Sequence, residues 1–309
     1  MSVKSKRLMV ILAVGVFLIG IVLFYLFVSF VQPVGHGPAG LPVSRELFSK
    51  PWTDRPVLLV GIGDSVTAGF GARRGYSYFD RLIANPPDEF ADMNGICLRA
   101  VLPKLQFTNL AISGSTSSEH TKMELPGLNV AESNVFGIVV LTTGGNDLIH
   151  NYGRTPPRDQ AMYGASQEQA KPWVEGFGYR LDSMIDEITA RFPGGCRIFL
   201  ASIYDPTDGA GDIKHTGLPA WPDGLKILND YNEIIRKCAN THTNVQLVNL
   251  HDAFLGHGIH CAQFWTKHYD LKDPHYWYFV NLEDPNERGY DAIRRLFLIE
   301  MTTLSKQIK

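Results

Sequence analysis

Residues 56–71 read PVLLVGIGDSVTAGFG. An apolar run rich in branched side chains stops at a glycine-flanked Asp64-Ser65 and passes into small residues. A short, continuous apolar run of this kind is the pattern of a strand buried on both faces. Four more runs resemble it: LQFTNLA from Leu105, VFGIVVLTTG from Val135, CRIFLASI from Cys196 and VQLVNL from Val245. Helical periodicity lies between and after them. Val174, Phe177, Leu181, Ile185, Ile188 and Phe192 recur at three- and four-residue steps, and Pro193-Gly194-Gly195 ends the run. Leu225, Leu228, Tyr231, Ile235 and Cys238 form a second stripe; Tyr290, Ile293, Phe297, Met301 and Leu304 form a third. Apolar strands alternating with amphipathic helices specify an α/β domain whose parallel sheet is covered on both faces. Ligands of such sheets bind beyond the carboxyl ends of the strands, so the residues just past each strand carry the functional reading.

At the first strand end, two phosphate-binding patterns fail. The G-x-G-x-x-G fingerprint starts at Gly61 and Gly63 but meets Val66, and Ala68-Gly69 does not supply the Lys-Ser/Thr of a P-loop. What stands out is Ser65, a hydroxyl on a strand-to-helix turn whose N–H groups have no intrahelical acceptor. Such a turn suits a nucleophile whose reaction develops an oxyanion; a plain N-cap is the alternative. The second strand end continues as NLAISGSTSSE with Gly114, and the third as TTGGNDL with Asn146 and Asp147. Together they place a serine, a glycine N–H and an asparagine amide at three strand ends along one edge, the donor set of an oxyanion hole.

In these blocks the chain resembles the SGNH/GDSL hydrolases, a family of esterases, lipases, acyltransferases and carbohydrate acetylesterases. Gly63-Asp64-Ser65 matches its first block, Asn109 through Gly114 its second, and Gly144-Gly145-Asn146-Asp147 its third. The resemblance spans about residues 56 to 305. It implies a flavodoxin-like three-layer α/β/α fold with strand order 2-1-3-4-5, Ser65 as nucleophile, and an oxyanion hole from the N–H groups of Ser65 and Gly114 and the Asn146 amide.

The family's last block, D-x-x-H followed by Pro-Asn and Gly-Tyr, is matched in frame by residues 281–290, NLEDPNERGY, but not in chemistry. Asp284 stands at the histidine position and Asn281 at the aspartate position. Asp284-Pro285-Asn286-Glu287 also reads as a helix cap, and a capping aspartate can still orient an imidazole. A replacement base is sought in the loop of about 33 residues after the fifth strand, longer than ordinary βα connections. It holds His251, His257, His260, His268 and His275 among many aromatic residues. Glycine-flanked His257, closest to the strand end among the last four, is the expected base, with His260, His268 and His275 as alternatives; a structural role is the competing reading for each. A metal site at His257-x-x-His260 with Cys261, Asp270 and Asp273 matches no metalloenzyme spacing, so neither a metal nor an organic cofactor is expected.

Residues 8–31, LMVILAVGVFLIGIVLFYLFVSFV, are uncharged. As a helix they reach roughly 36 Å, enough to cross a hydrocarbon core of about 30 Å. Lys4, Lys6 and Arg7 precede them, which places residues 1–7 in the cytoplasm and the remainder outside it, periplasmic or at the cell surface; a cleaved signal is the alternative. Residues 32–55, with four prolines, read as an extended linker, and residues 56–309 as one hydrolase domain. With 45% hydrophobic and 19% charged residues the chain is not a disordered segment. A net charge of −2 without a basic block sets nucleic-acid binding aside. For Cys97, Cys196, Cys238 and Cys261, a Cys196–Cys238 bridge and buried free thiols are both open. The expected function is a membrane-anchored extracytoplasmic serine ester hydrolase, its substrate an acylated glycan, a lipid or a small ester. The alternative is a domain that has lost catalysis and binds an acylated ligand or an envelope partner.

Overall fold

The computed structural model describes residues 3–308, apart from the side chains of Val3, Leu8, Lys214 and His215. Helix α1 (Val3–Phe30) is the long apolar element, and it is long and apolar enough to cross a membrane. Strand β1 (Val57–Gly63) leads into the single turn α2 (Ser65–Ala68), followed by α3 (Tyr78–Ile83), β2 (Leu105–Asn109) and β3 (Phe136–Thr142). Helix α4 (Gln167–Ala190), β4 (Cys196–Ala201), α5 (Gly224–Thr241), β5 (Val245–Val248) and α6 (Glu287–Met301) complete the frame. The sheet is wholly parallel in the order β2-β1-β3-β4-β5, so all five apolar runs form strands in the expected order.

Alternation along β1 shows why the strand is apolar throughout. Val57 and Leu59 enter one core, with Phe79 of α3 and Phe297 of α6, while Val60 and Ile62 enter the other, with Phe177 of α4 and Tyr231 of α5. The three helical stripes read from the sequence are the buried faces of α4, α5 and α6. A buried ionic cluster ties α6 to the layer of α3: Arg294 and Arg295 both pair with Asp291, and Arg294 also binds Glu89.

Residues 32–55 do not form an extended linker. They lie as a strap along the domain: the Tyr276 N–H donates to the Pro33 carbonyl (2.7 Å), Arg288 Nη1 to that of His36 (2.7 Å), and the Ala39 N–H to Asp291 Oδ2 (3.0 Å). Val43, Phe48 and Trp52 then join the α3/α6 core. Buried apolar side chains of this size contribute about 1.5–3 kcal/mol each, so these three hold the strap to the domain.

All four cysteines are buried free thiols, and Cys196 and Cys238 are not bridged. The cap of α6 also differs from expectation. Asn286, not Asp284, is the N-cap, its side chain accepting from the N–H groups of Arg288 and Gly289. Asp284 is turned inward instead.

Candidate active site

The sheet's carboxyl edge carries a cavity of about 170 Å³. Asp64, Ser65 and Asn146 line one part of it together with Asn281, Leu282 and Glu283; Leu148, Tyr163, Ile203, Trp221 and Leu225 supply apolar wall. Ser65 is the first residue of α2, so its N–H has no acceptor within the helix. Asp64 caps that turn, accepting from the Val66 N–H (3.1 Å) and from Thr142 Oγ1 (2.8 Å). Gly63, at φ +139°, lets the strand pass close to β3, since a Cβ there would stand 2.3 Å from the Thr142 carbonyl oxygen.

The turn after β2 is fastened from below. Glu124 accepts from the Gly63 N–H (2.8 Å) and the Ser115 hydroxyl (3.0 Å), and its Oε1 lies 2.9 Å from His120 Nδ1. His120 and Glu124 are both fully enclosed, and His120 Nε2 is buried without a partner. The sequence reading passed over this pair, although its i,i+4 spacing was a usable signal. Asn146 Nδ2 donates to the Ser115 carbonyl (3.0 Å), which ties the third block to the residue following Gly114. Gly114 itself, at φ +84°, is exposed on that turn rather than in the cavity wall. Asp147 is an anchor: its buried carboxylate accepts from the N–H (2.8 Å) and hydroxyl (2.5 Å) of Ser117. Burial raises its pKa, against the pull of those two bonds.

Asp284 lies near Ser65 and is 2% exposed. Asn281 Nδ2 donates to its Oδ2 (2.6 Å), while Asn281 Oδ1 accepts from the Asp284 N–H (3.2 Å). Asp284 Oδ1 is buried with no hydrogen-bond partner. Burial lifts the Asp284 pKa above the usual carboxylate value, and the nearby Ser65 hydroxyl and the Asn281 amide oppose that rise. The Ser65 hydroxyl thus stands near Asp284, whose Oδ1 has no bond of normal geometry. Asp64, Glu283, Tyr204 and Tyr290 also act electrostatically on or with Asp284, and none of them is a cation. Glu283, which the sequence reading did not single out, is pushed up to about 7 by burial and by Asp284.

The loop histidines are placed elsewhere. His257 stacks flat on Trp277 (centroids 3.4 Å apart), with Nδ1 3.1 Å from the His275 carbonyl oxygen, and burial lowers its pKa. His260 Nε2 is 2.8 Å from Asp212, and His275 Nδ1 is 2.5 Å from Asp273. Neither these nor His268 lines the cavity; among the described side chains no histidine does. The structure therefore brings Ser65, Asn146 and Asp284 together, sets Gly114 on the adjoining turn, and leaves His257 apart. Nor do His257, His260 and Cys261 converge as metal donors. Among the described residues the converging set is Asp182, Cys238 and His242, at the opposite, amino end of the sheet.

Solved structures share this architecture at low identity. An extracellular lipase from Streptomyces rimosus superposes with a TM-score of 0.51 and 16% identity, covering 82% of this chain and all of that one. An acetylxylan esterase from Geobacillus stearothermophilus gives 0.49 and 16%, covering 81% of this chain and 96% of its own. Among curated proteins none matches the sequence. The model of the GDSL-like lipase/acylhydrolase family matches residues 62–292. With that match over most of the chain, and a five-stranded sheet whose carboxyl edge presents Ser65 and Asn146, the chain belongs to the GDSL-like lipase/acylhydrolase family.

Proposed function

We propose that the protein is a membrane-anchored serine ester hydrolase, its domain held outside the cytoplasm by α1, and that Asp284 takes the place of an imidazole as the base for Ser65. The observation that carries this reading is the buried Asp284 carboxylate near the Ser65 hydroxyl, its Oδ2 held by Asn281 and its Oδ1 without a hydrogen-bond partner. The Ser65 proton passes to Asp284 as Oγ bonds to the ester carbonyl carbon. The oxyanion is received by the Ser65 and Gly114 N–H groups and the Asn146 amide. Its collapse breaks the bond to the leaving alcohol, which takes the proton from Asp284. Water then attacks the acyl-enzyme, giving its proton to Asp284, and release of the acid returns that proton to Ser65. The apolar wall of Leu148, Ile203, Trp221 and Leu225 favours an acyl group over a charged substituent at that side of the cavity.

A catalytically silent binding domain is favoured by one observation, the lack of any described histidine side chain at the cavity. Treating the full chain with a fluorophosphonate and mapping the adduct by peptide mass spectrometry separates the two readings, because such probes report an activated serine. Labelling is expected on Ser65, lost in Ser65→Ala and Asp284→Asn, and retained when His257, His260, His268 or His275 is replaced by alanine. Labelling that persists in Asp284→Asn would overturn the carboxylate assignment. Folded protein that stays unlabelled would establish the silent domain.

A further inference from the structure

The long loop after β5, expected to supply a base, ends up against the membrane helix. Val28 is only 6% exposed, in contrast to the helix preceding it, and the Phe24 ring lies 6.4 Å from that of Phe264. Three residues beyond the end of α1, the Pro33 carbonyl is already bonded to Tyr276 of the same loop. The helix is therefore joined to the domain by a bonded strap, not by a swivel. Phe24 sits six residues before Phe30, about 9 Å along the helix axis. The uncharged stretch of roughly 36 Å exceeds a hydrocarbon core of about 30 Å by only a few ångströms at each end, so a ring beside Phe24 falls below the membrane surface.

The residues that meet this level have the composition of an interface. Phe264 and Trp265, 61% and 49% exposed, pack edge to face at 4.9 Å. Leu271 is 80% exposed, and Lys267 and Lys272, on the same loop, are exposed as well. Burying an aromatic pair returns apolar area to a non-aqueous phase, and flanking ammonium groups suit the phosphate level. In water the packed Phe264–Trp265 pair and Leu271 would leave exposed apolar surface unexplained.

We infer that Phe264 and Trp265 insert into the outer leaflet of the bilayer crossed by α1, with Leu271 beside them and Lys267 and Lys272 at the headgroups. This second contact fixes the orientation of the domain on the membrane. The occupant is the bilayer itself, because the helix that lies against the loop is the one that crosses it. The inference rests on the reading of α1 as a membrane anchor.

Trp265 is the one exposed tryptophan among the five of the chain, which makes it a reporter of its own position. The full chain is reconstituted into phosphatidylcholine vesicles whose acyl chains carry bromine at carbons 6 and 7, a contact quencher of indole emission. Emission is expected to be quenched relative to unbrominated vesicles, with the quenching lost in Trp265→Phe and kept in Trp173→Phe. An alkaline carbonate wash separates the two ways of failing. Protein stripped from the vesicles overturns the anchor and the insertion together. Protein that resists the wash, yet shows no Trp265-dependent quenching, overturns the insertion alone. Trp265-dependent protection from aqueous iodide without bromine quenching, together with cross-linked dimers, would assign the patch to a second copy and equally overturn it.

Discussion

Replacing Asp284 by asparagine separates a base from a structural carboxylate, because the two roles move activity and stability in opposite directions. The side chains are isosteric, and an amide at position 284 can still present its oxygen to Asn281 Nδ2, now 2.6 Å from Asp284 Oδ2. What disappears is the capacity to take the Ser65 proton. General-base removal costs about 10²- to 10⁴-fold in rate, or about 3 to 5 kcal/mol of barrier. The stability effect has its own sign. Burial, the largest influence, holds the Asp284 pKa above 3.8 in the folded protein, so the native state binds this proton more tightly than the unfolded chain does. The stabilisation from that proton is complete below the unfolded value of about 3.9 and is lost as pH rises through the folded pKa. At neutral pH the charged group opposes folding, and Asp284→Asn removes that cost. The expected outcome is turnover of a p-nitrophenyl ester lowered by at least about 100-fold with an unchanged or raised Tm by differential scanning calorimetry. Turnover within a factor of about 10 of wild type, or a loss of rate accompanied by a falling Tm, would refute the reasoning.

The same carboxylate is expected to set the acid limb of the pH–rate profile: activity should rise with pH as Asp284 loses its proton, with the limb above the ordinary carboxylate range. Asn281→Ala removes a bond that favours the charged form and is expected to move that limb to higher pH. Asn146→Ala is expected to lower kcat by about 10²- to 10³-fold with little change in KM, as loss of one oxyanion donor does; equal losses in kcat and labelling by fluorophosphonate would instead indicate a misplaced Ser65. Glu124→Ala strips the Gly63 N–H, the Ser115 hydroxyl and His120 of their common partner, and is expected to cost about 3–5 kcal/mol in denaturant unfolding, the cost of breaking a buried pair. Leu225→Trp narrows the apolar wall and is expected to shift preference toward shorter acyl esters when butyrate and octanoate esters are compared.

What was legible in the sequence is what short-range pattern encodes. The strands are continuous apolar runs because both sheet faces are covered, and the glycines at 63 and 144 mark turns that only their backbone freedom allows. Asp284 and Asn281 were found because they fall in the frame of the last block. The meaning of the loop histidines was not legible, since each is claimed by a partner that no local pattern names. His257 has Trp277, twenty residues on, and His260 has Asp212, forty-eight residues back. The strap failed for the same reason. Prolines and glycines at 32–55 report that the segment forms no regular element, but the groups that fix it, Asp291, Arg288 and Tyr276, lie about 240–250 residues away.

The two departures in the last block make sense only as a pair. In the family pattern a neutral imidazole is backed by a carboxylate, a resting charge of −1; here a carboxylate is backed by a neutral amide, again −1. Exchanging histidine for aspartate alone would set two carboxylates against each other and leave one of them protonated. The amide of Asn281 instead donates to Asp284, and Asn281 Oδ1 accepts from the Asp284 N–H, so one side chain supports both the charge and the turn that carries it. The proposed chemistry changes in one respect. When imidazole accepts the serine proton, a cation forms that needs its buried anion; when Asp284 accepts it, the site's charge moves from the carboxylate to the oxyanion and no ion pair is created. Burial favours the neutral acid, which places the force drawing the proton from Ser65 in the desolvation of Asp284. On the proposed reading the burial of Asp284 acts in the chemistry as well as in packing: opening it to water would lower its pKa, and with it its basicity.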